Sequence, residues 1–525
     1  MESGCLRYSD IPHTSKLFLD FQYHFDRVAG FYAHCPMDPR CYADAARQVN
    51  FPPERRTALV SALRAANGES AALDLLEKDG TLAVVTGQQV GLFSGPAYTI
   101  YKALTAARLA EKLRSEGIPA VPVFWLATED HDFAEVNHAF VFDRAHQPVR
   151  LQVDGSGESQ QPVGTIAVEG PPIEALRDAF AGFPFAEEVI AAVADAYQPG
   201  VSLGAAFQRL LRQVLGKWGL LFIDPLDVAI RKIAAPLLAN ALDRASELKD
   251  RLLERNRALT EAGYHAQVNV EPQISLFFLL DGNRRITLRR QDADYAAKDR
   301  RYSVQELADR AEQLSPNALL RPVMQDYILP TVAYVGGPAE LAYLAQSQVL
   351  YQSLLGRMPV TLARGSFTLL DQRSAKVMDR YHIALPNLFH GLDEVREAIA
   401  RRLVPQALTD NITSVQQSTT NSLKRLRSDL TGFDPTLASA LDKSTAKIAY
   451  QVSKIGRKIA RETLRRDERA TRDAGSLSGL VFPQKRLQER FYSILPFLAT
   501  HGDGLLDTLY GNIHLDCPDH KILVV

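Results

Sequence analysis

The clearest pattern along the chain is an apolar run, a stretch with helical spacing and a second apolar run. Residues 82–86 and 121–128 are the two apolar runs. Between them, apolar residues recur every three or four positions from Ile100 to Leu113, which is the period of an α-helix. Gly117 and Pro119 then end the helix. A strand, a helix and a strand in succession form a βαβ unit, so the pattern predicts an α/β fold with a parallel sheet.

Further short apolar or alternating runs predict more strands. They lie at residues 139–143, 149–153, 165–168, 220–224, 266–270, 275–280, 285–289, 331–335 and 360–363. Asp281-Gly282-Asn283 separates two of them and predicts a hairpin turn. We therefore expect a sheet core over residues 81–385, with insertions near 144–200 and 265–320, preceded by a mostly helical segment over 1–80.

The pattern changes from about residue 386. Narrow apolar stripes with charged flanks, such as Leu423, Leu426 and Leu430, step by three or four positions, with almost no Gly or Pro inside the helices. This pattern predicts long helices that form an antiparallel coiled-coil arm over 386–475. Residues 476–525 regain a mixed composition, and we expect them to return to the core.

Composition narrows the class of protein. The 525 residues are 46% hydrophobic and 23% charged, which is typical of a globular protein of two or three units. The formal net charge of -1 gives no overall field that would attract nucleic acid or a membrane. Four cysteines without a CxxC pair favour a reducing compartment and argue against a disulfide framework or a structural zinc site. Because no targeting segment and no long apolar span is visible, we expect a cytoplasmic protein.

The first chemistry-bearing segment joins the first predicted strand to its helix. Residues 86–98 read Thr-Gly-Gln-Gln-Val-Gly-Leu-Phe-Ser-Gly-Pro-Ala-Tyr. Ligands bind at the carboxyl ends of parallel strands, and the backbone N–H groups at a helix start favour anions. Lys102, inside the helix, is placed to reach back to a phosphate or a carboxylate. The spacing matches neither the Walker A nor the GxGxxG motif, so a structural turn with a solvated lysine is the alternative.

The second segment follows the second predicted strand, at the same edge of the sheet. It consists of Glu129, Asp130, His131 and Asp132. An imidazole beside carboxylates suits a general base, or a site that holds an ammonium group. The alternatives are a metal site, since His and carboxylates are good ligands, and a solvated acidic loop.

Two further segments are weaker signals. Tyr334-Val335-Gly336-Gly337-Pro338-Ala339-Glu340 is another strand–glycine–helix passage and predicts the facing wall of a pocket, with a purely structural turn as the alternative. The basic run from Lys454 to Arg472 suits contact with an RNA backbone. Acidic residues are interspersed in this run, so a solvated face of the coiled coil is the favoured interpretation.

These motifs resemble those of a known family. Residues 85–102 and 123–138 resemble the hallmark segments of the bacillithiol-biosynthesis cysteine-adding enzymes, and Gly336-Gly337-Pro338-Ala339-Glu340 and Leu487-Gln488-Glu489-Arg490 resemble further family segments. The resemblance covers essentially the whole chain. It implies a Rossmann-like core related to class I aminoacyl-tRNA synthetases, a coiled-coil arm and a homodimer. The implied reaction joins L-cysteine to the amine of glucosaminyl-malate in the last step of bacillithiol biosynthesis.

The resemblance also implies substrates and residue roles. Amide formation from a carboxylate and an ammonium is uphill in water, so the synthetase-like fold suggests activation by ATP with Mg²⁺ through a cysteinyl adenylate. We expect small-molecule partners and no nucleic acid. The expected catalytic residues are Glu129, His131, Asp132 and Lys102, with His131 as the first choice of base. The expected substrate-binding residues are Thr86, Gly87, Gln88, Gln89, Ser94, Gly95, Pro96, Tyr98, Asp130, Asn137, Tyr334, Gly336, Gly337 and Glu340. A tRNA-related nucleotidyl or aminoacyl transferase and a non-catalytic nucleotide-binding scaffold are the alternative functions.

Overall fold

A computed structural model describes residues 4–154, 157, 159–271, 275–291, 294–297 and 300–525. The strands are β1 (Gly4–Leu6), β2 (Leu82–Gln89), β3 (Ala120–Ala127), β4 (His138–Phe142), β5 (Pro148–Gln152), β6 (Leu221–Ile223), β7 (Phe277–Asp281), β8 (Arg284–Thr287), β9 (Arg289–Gln291), β10 (Asp294–Ala297), β11 (Arg300–Tyr302), β12 (Leu314–Pro316), β13 (Thr331–Gly336), β14 (Val360–Ala363), β15 (Phe367–Leu370) and β16 (His520–Val524).

The α-helices are α1 (Lys16–Tyr23), α2 (Cys41–Gln48), α3 (Pro53–Asn67), α4 (Ala71–Glu77), α5 (Tyr98–Ser115), α6 (Phe133–Val136), α7 (Ile173–Ala179), α8 (Ala186–Ala196), α9 (Leu203–Leu215), α10 (Val228–Asp243), α11 (Ala245–Glu261), α12 (Val304–Ala308), α13 (Arg321–Ile328), α14 (Pro338–Leu354), α15 (Gln372–Tyr381), α16 (Leu392–Leu403), α17 (Gln406–Phe433), α18 (Pro435–Arg466), α19 (Glu468–Val481), α20 (Gln488–Phe491), α21 (Leu495–His501) and α22 (Gly504–Gly511).

The centre of the fold is a five-stranded parallel sheet in the order β14–β13–β2–β3–β6. Strands β2 and β3 pair over their full length, from Leu82 opposite Ala120 to Gln89 opposite Ala127. Their residues are almost all buried, as expected for a parallel sheet whose two faces are covered by helices. Helix α5 is the crossover between these strands. The predicted α/β fold with a parallel sheet is thereby confirmed.

A second, three-stranded sheet lies where the chain ends. Strand β16 lies between β1, with which it pairs antiparallel, and β15, with which it pairs parallel. Because β15 directly follows β14 in the chain, this small sheet lies close to one edge of the central sheet. The C-terminal residues therefore pack against the strand that leaves the core.

The predicted coiled-coil arm is confirmed as a hairpin of two long helices, α17 and α18. Arg427 forms an ion pair with Asp442 near the turn, and Gln416 donates a hydrogen bond to Ser453 farther along. These pairings show that the two helices run antiparallel. No helix in the described part of the chain is long and apolar enough to cross a membrane.

Three local predictions differ from the structure. Strand β2 continues to Gln89 rather than ending at Thr86, so Gly87, Gln88 and Gln89 belong to the sheet. Residues 165–168 form no regular strand; a 3-10 turn at Val163–Thr165 precedes a single bridge between Ala167 and Ser202.

The third difference is at residues 266–270, which are irregular rather than a strand. The side chain of Gln346 accepts a hydrogen bond from the backbone N–H of Val268 at 2.9 Å and donates one to its carbonyl at 2.8 Å. One buried amide side chain thus satisfies the backbone groups that a neighbouring strand would otherwise satisfy.

Candidate active site

A cavity of about 930 Å³ opens at the carboxyl edge of the central sheet, where β2, β3 and β13 end. This is the edge at which open α/β sheets bind ligands. The three predicted segments meet there, although they are far apart in sequence. The predicted site residues that line the cavity are Gly87, Gln88, Gln89, Tyr98, Lys102, Glu129, Asp130, His131, Tyr334, Gly337 and Glu340.

Lys102 and Glu340 form a buried ion pair in the cavity wall. Lys102 is 2% exposed, and its Nζ lies 2.5 Å from Glu340 Oε2. The same Nζ donates to the Gly87 carbonyl at 2.7 Å and to Gln88 Oε1 at 3.0 Å. Glu340 also accepts hydrogen bonds from the Gly337 N–H and the Tyr334 hydroxyl. Burial opposes ionisation of Glu340, but Lys102 and these donors outweigh it and hold the pKa of Glu340 below its usual value. The pair therefore ties β2, β13 and two helices together.

Three cations surround the ring of Tyr98. The distances from its centroid are 5.7 Å to Lys102 Nζ, 5.1 Å to Arg364 Cζ and 5.9 Å to Arg490 Cζ. Arg490 is exposed, whereas Arg364 is 7% exposed and stands directly after β14. An aromatic face holds such cations near one another. Because Glu340, Gly87 and Gln88 take up the three N–H groups of Lys102, the donors left for a ligand are those of Arg364 and Arg490. This part of the cavity is suited to binding an anion.

Glu129 is not a free carboxylate. Its Oε1 lies 2.7 Å from Nη1 of Arg231, and Glu129 is only 4% exposed. Arg231 is itself held by backbone carbonyls, including that of Leu314 at 2.8 Å. Arg231 therefore already occupies the position that a substrate ammonium would take beside Glu129, and it balances the charge of this carboxylate.

Asp130 and His131 lie together at the end of β3. Asp130 accepts hydrogen bonds from the side chain of Gln89 and from the His131 N–H. Burial opposes ionisation of Asp130, but these hydrogen bonds and the Arg285 cation keep its pKa below its usual value. Nη1 of Arg285 lies 3.4 Å from His131 Nδ1, which lies 3.9 Å from Asp130 Oδ1. With Nδ1 as the acceptor, the neutral ring carries its proton on Nε2.

Seven predicted site residues lie outside the cavity wall: Thr86, Ser94, Gly95, Pro96, Asp132, Asn137 and Gly336. Thr86 is fully buried, and its hydroxyl donates to the Val335 carbonyl at 2.8 Å, which joins β2 to β13. Asp132 is exposed and caps the N-terminus of α6 by accepting from the Glu135 N–H. Asn137 contacts the neighbouring His138 ring at 3.2 Å. These three side chains have structural partners instead of a place at the cavity.

The remaining predicted residues shape the backbone. Phe93, Ser94 and Gly95 have φ angles of 49°, 72° and 65°, so the chain turns sharply through left-handed conformations between β2 and α5. Pro96 follows this turn just before α5. Gly336 closes β13, and its carbonyl accepts the backbone N–H of Arg364 at 2.9 Å. They position the cavity residues without lining the cavity.

The arginines of the cavity were not predicted as site residues from the sequence. Arg285, Arg289, Arg321, Arg364 and Arg490 all line it. With Lys102 they give six basic side chains against four acidic ones in the part of the chain that the structure describes. Arg321 donates to the Tyr343 hydroxyl at 2.6 Å, and nearby Tyr343, Tyr334 and Glu340 hold its pKa above the usual value despite burial. The arginines come from different strands, helices and loops, so no local sequence pattern identifies them as residues of one site. Among them, only Arg490 lies in a segment that resembles a family segment.

Two family models match the chain. Residues 1–365 match "Bacillithiol biosynthesis BshC, N-terminal Rossmann-like domain", and residues 367–525 match "Bacillithiol biosynthesis BshC, C-terminal coiled-coil domain". The predicted Rossmann-like core and coiled coil agree with both descriptions. The relation to class I aminoacyl-tRNA synthetases stays a prediction.

Full-length relatives carry the same family name. A protein of Solibacter usitatus is 51% identical over 525 residues and covers 100% of both chains. One of Koribacter versatilis is 34% identical and also covers 100% of both chains. One of Salinibacter ruber is 31% identical and covers 97% of this chain and 96% of its own. Each is named "Putative cysteine ligase BshC". The chain belongs to the bacillithiol biosynthesis BshC family.

Proposed function

We propose that the protein is a ligase that adds L-cysteine to the sugar amine of glucosaminyl-malate and so completes bacillithiol. The observation that carries this proposal is the group of cations around Tyr98, in a cavity where, among the described residues, the basic side chains outnumber the acidic ones by six to four. Malate contributes two carboxylates to the substrate, and guanidinium groups bind carboxylates through paired N–H donors. Membership of a bacillithiol biosynthesis family and the relatives' name, putative cysteine ligase, support the cysteine-adding reaction.

The bond that forms joins the carboxyl carbon of cysteine to the sugar nitrogen, and the elements of water leave. Because this condensation has an unfavourable free energy in water, we propose that ATP activates the cysteine carboxylate. The cysteine carboxylate displaces pyrophosphate from ATP to give a cysteinyl adenylate, and the sugar amine then displaces AMP. The cavity volume of about 930 Å³ is at the upper end of the range for small-molecule sites. In this proposal Mg²⁺ arrives with the phosphates of ATP.

Asp130 and His131 act on the amine. The Asp130 carboxylate holds the substrate ammonium, since the two groups that donate hydrogen bonds to it, the Gln89 amide and the His131 N–H, carry no charge. The substrate amine displaces the Arg285 N–H from His131 Nδ1, and this ring nitrogen then takes the proton. The imidazolium that results faces Asp130 Oδ1 at 3.9 Å, which stabilises it. Glu129, already paired with Arg231, orients this segment.

The test mixes the purified protein with cysteine and glucosaminyl-malate, with and without Mg-ATP, and follows bacillithiol by mass. Product that requires ATP, with release of AMP, supports the proposal. Product together with ADP and phosphate would show a phosphorylated intermediate and remove the adenylate step. Absence of product under every condition, with both substrates bound, would contradict the ligase reaction itself.

A homodimer and a cytoplasmic location are parts of the same proposal. Exposed apolar side chains along the coiled-coil arm support association with a second copy, among them Val415, Phe433 and Ile455, of which Phe433 is 82% exposed. Light scattering is expected to give twice the chain mass of 58.1 kDa, and a value of one chain mass would contradict the dimer. A reaction that consumes ATP fits the cytoplasm, so the proposed use of ATP supports this location.

A further inference from the structure

The segment Leu487–Arg490 resembles a family segment in sequence, yet the proposed function involves only its last residue, Arg490. Gln488 at the start of α20 fixes this segment to the small sheet. Its Oε1 accepts the Leu369 N–H at 2.7 Å, and its Nε2 donates to the carbonyls of Leu369 at 2.9 Å and Leu480 at 3.0 Å. The side chain thus binds the edge of β15 as another strand would. This docking determines where the next residue, Glu489, lies.

Glu489 is 1% exposed, and both of its oxygens are fully used. Oε1 accepts from Arg364 Nη2 at 2.6 Å and from the Ser366 hydroxyl at 2.8 Å. Oε2 accepts from Arg364 Nη1 at 2.9 Å and from the Phe367 N–H at 3.0 Å. Burial opposes ionisation, but Arg364 outweighs it and keeps the pKa of Glu489 below its usual value. The result is a paired, planar contact that fixes the plane of one guanidinium group.

That guanidinium group lies in the wall of the cavity. Arg364 borders the cavity beside Tyr98, and its Nη1 also donates to the Gly365 carbonyl at 3.0 Å. Within the described residues, its Nε–H and one Nη2 hydrogen meet no acceptor. A guanidinium group has five N–H donors, so Glu489 holds one edge while other donors remain for a ligand.

We propose that Glu489 is a positioning residue for the substrate: it aligns Arg364 so that the free N–H groups bind a carboxylate of the malate moiety. Glu489 belongs to the matched C-terminal domain and Arg364 to the matched N-terminal domain. The coiled-coil domain therefore completes the substrate site of the Rossmann-like domain through Glu489, in addition to placing Arg490 in the cavity wall. This inference rests on the proposed function, since it needs a malate-bearing substrate.

This positioning role predicts which part of the substrate loses affinity when Glu489 is replaced. Without the carboxylate of Glu489, Arg364 is free to rotate, and a charge-assisted hydrogen bond to malate is lost. Hydrogen bonds to charged groups correspond to a change of about tenfold or more in affinity. The loss of affinity should concern only the malate moiety of the substrate, and the affinities for cysteine and for the sugar without malate should stay unchanged.

The experiment measures binding by titration calorimetry with two probes, glucosaminyl-malate and methyl glucosaminide, which lacks malate. The full-length protein is compared with Glu489→Gln, Glu489→Asp and the matched control Asp473→Asn. Asp473 is another buried carboxylate of the C-terminal domain that pairs with an arginine, Arg380, at 3.1 Å, but it does not line the cavity. The native protein is expected to prefer the malate compound.

In Glu489→Gln this preference should fall about tenfold or more, with KM for glucosaminyl-malate raised to match and KM for cysteine and kcat unchanged. Glu489→Asp keeps the charge and should recover part of the loss. The positioning role is overturned if Glu489→Gln keeps the native preference, or if it weakens both probes and kcat together as a general disturbance would. If Glu489→Gln does not fold, the same comparison is made with Glu489→Asp. Absence of any malate preference in the native protein would overturn the proposed substrate as well, which distinguishes the two failures.

Discussion

Replacing Lys102 with methionine is expected to destabilise the fold more than most single substitutions. Lys102→Met removes a cation that is 2% exposed and leaves the mostly buried carboxylate of Glu340, whose side chain is 17% exposed, without its cation. Removing one partner of a buried ion pair costs about 3–5 kcal/mol. Glu340 keeps its hydrogen bonds from Gly337 and Tyr334, at 2.8 and 2.7 Å, so we expect the lower end of that range, about 3 kcal/mol at neutral pH.

The pH dependence of this loss has a definite sign. In the native protein the pKa of Glu340 is lowered, so its contribution to stability is present above the unfolded-state pKa and is lost as the pH falls through the folded-state value. In Lys102→Met, burial without the cation raises the pKa of Glu340, and the folded variant takes up a proton more readily than the unfolded chain. The difference in stability between the two proteins should therefore shrink as the pH falls from 7 toward 5.

Urea unfolding followed by tryptophan fluorescence provides the assay, since Trp125 is fully buried in β3 beside the cavity. Glu340→Gln and the double variant complete the cycle. Because the double variant leaves no unpaired buried charge, it should be more stable than the sum of the single losses predicts, by about 1–3 kcal/mol. Equal unfolding midpoints for Lys102→Met and the native protein, or strict additivity in the double variant, would show that the ion pair does not stabilise the fold in this way.

The other predictions concern a close contact, a buried histidine and the proposed base. In Gly87→Ala the new Cβ would lie 2.8 Å from a backbone carbonyl oxygen of β3, so we expect a loss of about 1–3 kcal/mol in thermal or urea unfolding. The control Gly216→Ala, whose new Cβ would have no non-neighbouring atom of the described residues within 4 Å, should unfold like the native protein. Burial lowers the pKa of His520 to about 4, so the unfolded chain takes up a proton first and stability should fall by up to roughly 3 kcal/mol as the pH drops from about 6.5 to about 4. His520→Gln should show a shallower pH dependence of its unfolding midpoint, and an unchanged slope would contradict this account. His131→Gln should lower kcat about 100-fold or more, whereas His138→Gln, outside the cavity wall, should not; equal effects would remove His131 as the base.

Local patterns were sufficient to predict the parallel sheet and the coiled coil. The alternation of apolar runs and helical spacing around β2, α5 and β3 is a short-range signal, and parallel strands place their ends at one edge. Three groups of residues at or just beyond strand ends therefore meet as predicted: Gly87 to Gln89, Glu129 to His131 and Tyr334 to Glu340. The prediction of a strand at 266–270 was wrong. The backbone N–H and carbonyl of Val268 form hydrogen bonds with the side chain of Gln346, far away in the chain, instead of with a neighbouring strand.

The electrostatics of the cavity depend on long-range contacts that no local pattern contains. Glu129 is paired with Arg231, 102 positions away, so a residue that the sequence offers as a free acid is neutralised in the fold. Arg364 is fixed by Glu489, 125 positions away and in the other domain. Thr86 and Asp132 lie within the predicted site motifs, but their side chains form hydrogen bonds that only stabilise the fold.

The most direct test of the central claim is a crystal structure of the protein with glucosaminyl-malate bound. The account predicts the substrate in the cavity at the carboxyl edge of the sheet, with its malate carboxylates within hydrogen-bond distance of Arg364 and Arg490. It predicts the sugar amine on the side of Asp130 and His131. Substrate bound outside this cavity, or with its malate away from the cations around Tyr98, would contradict the account.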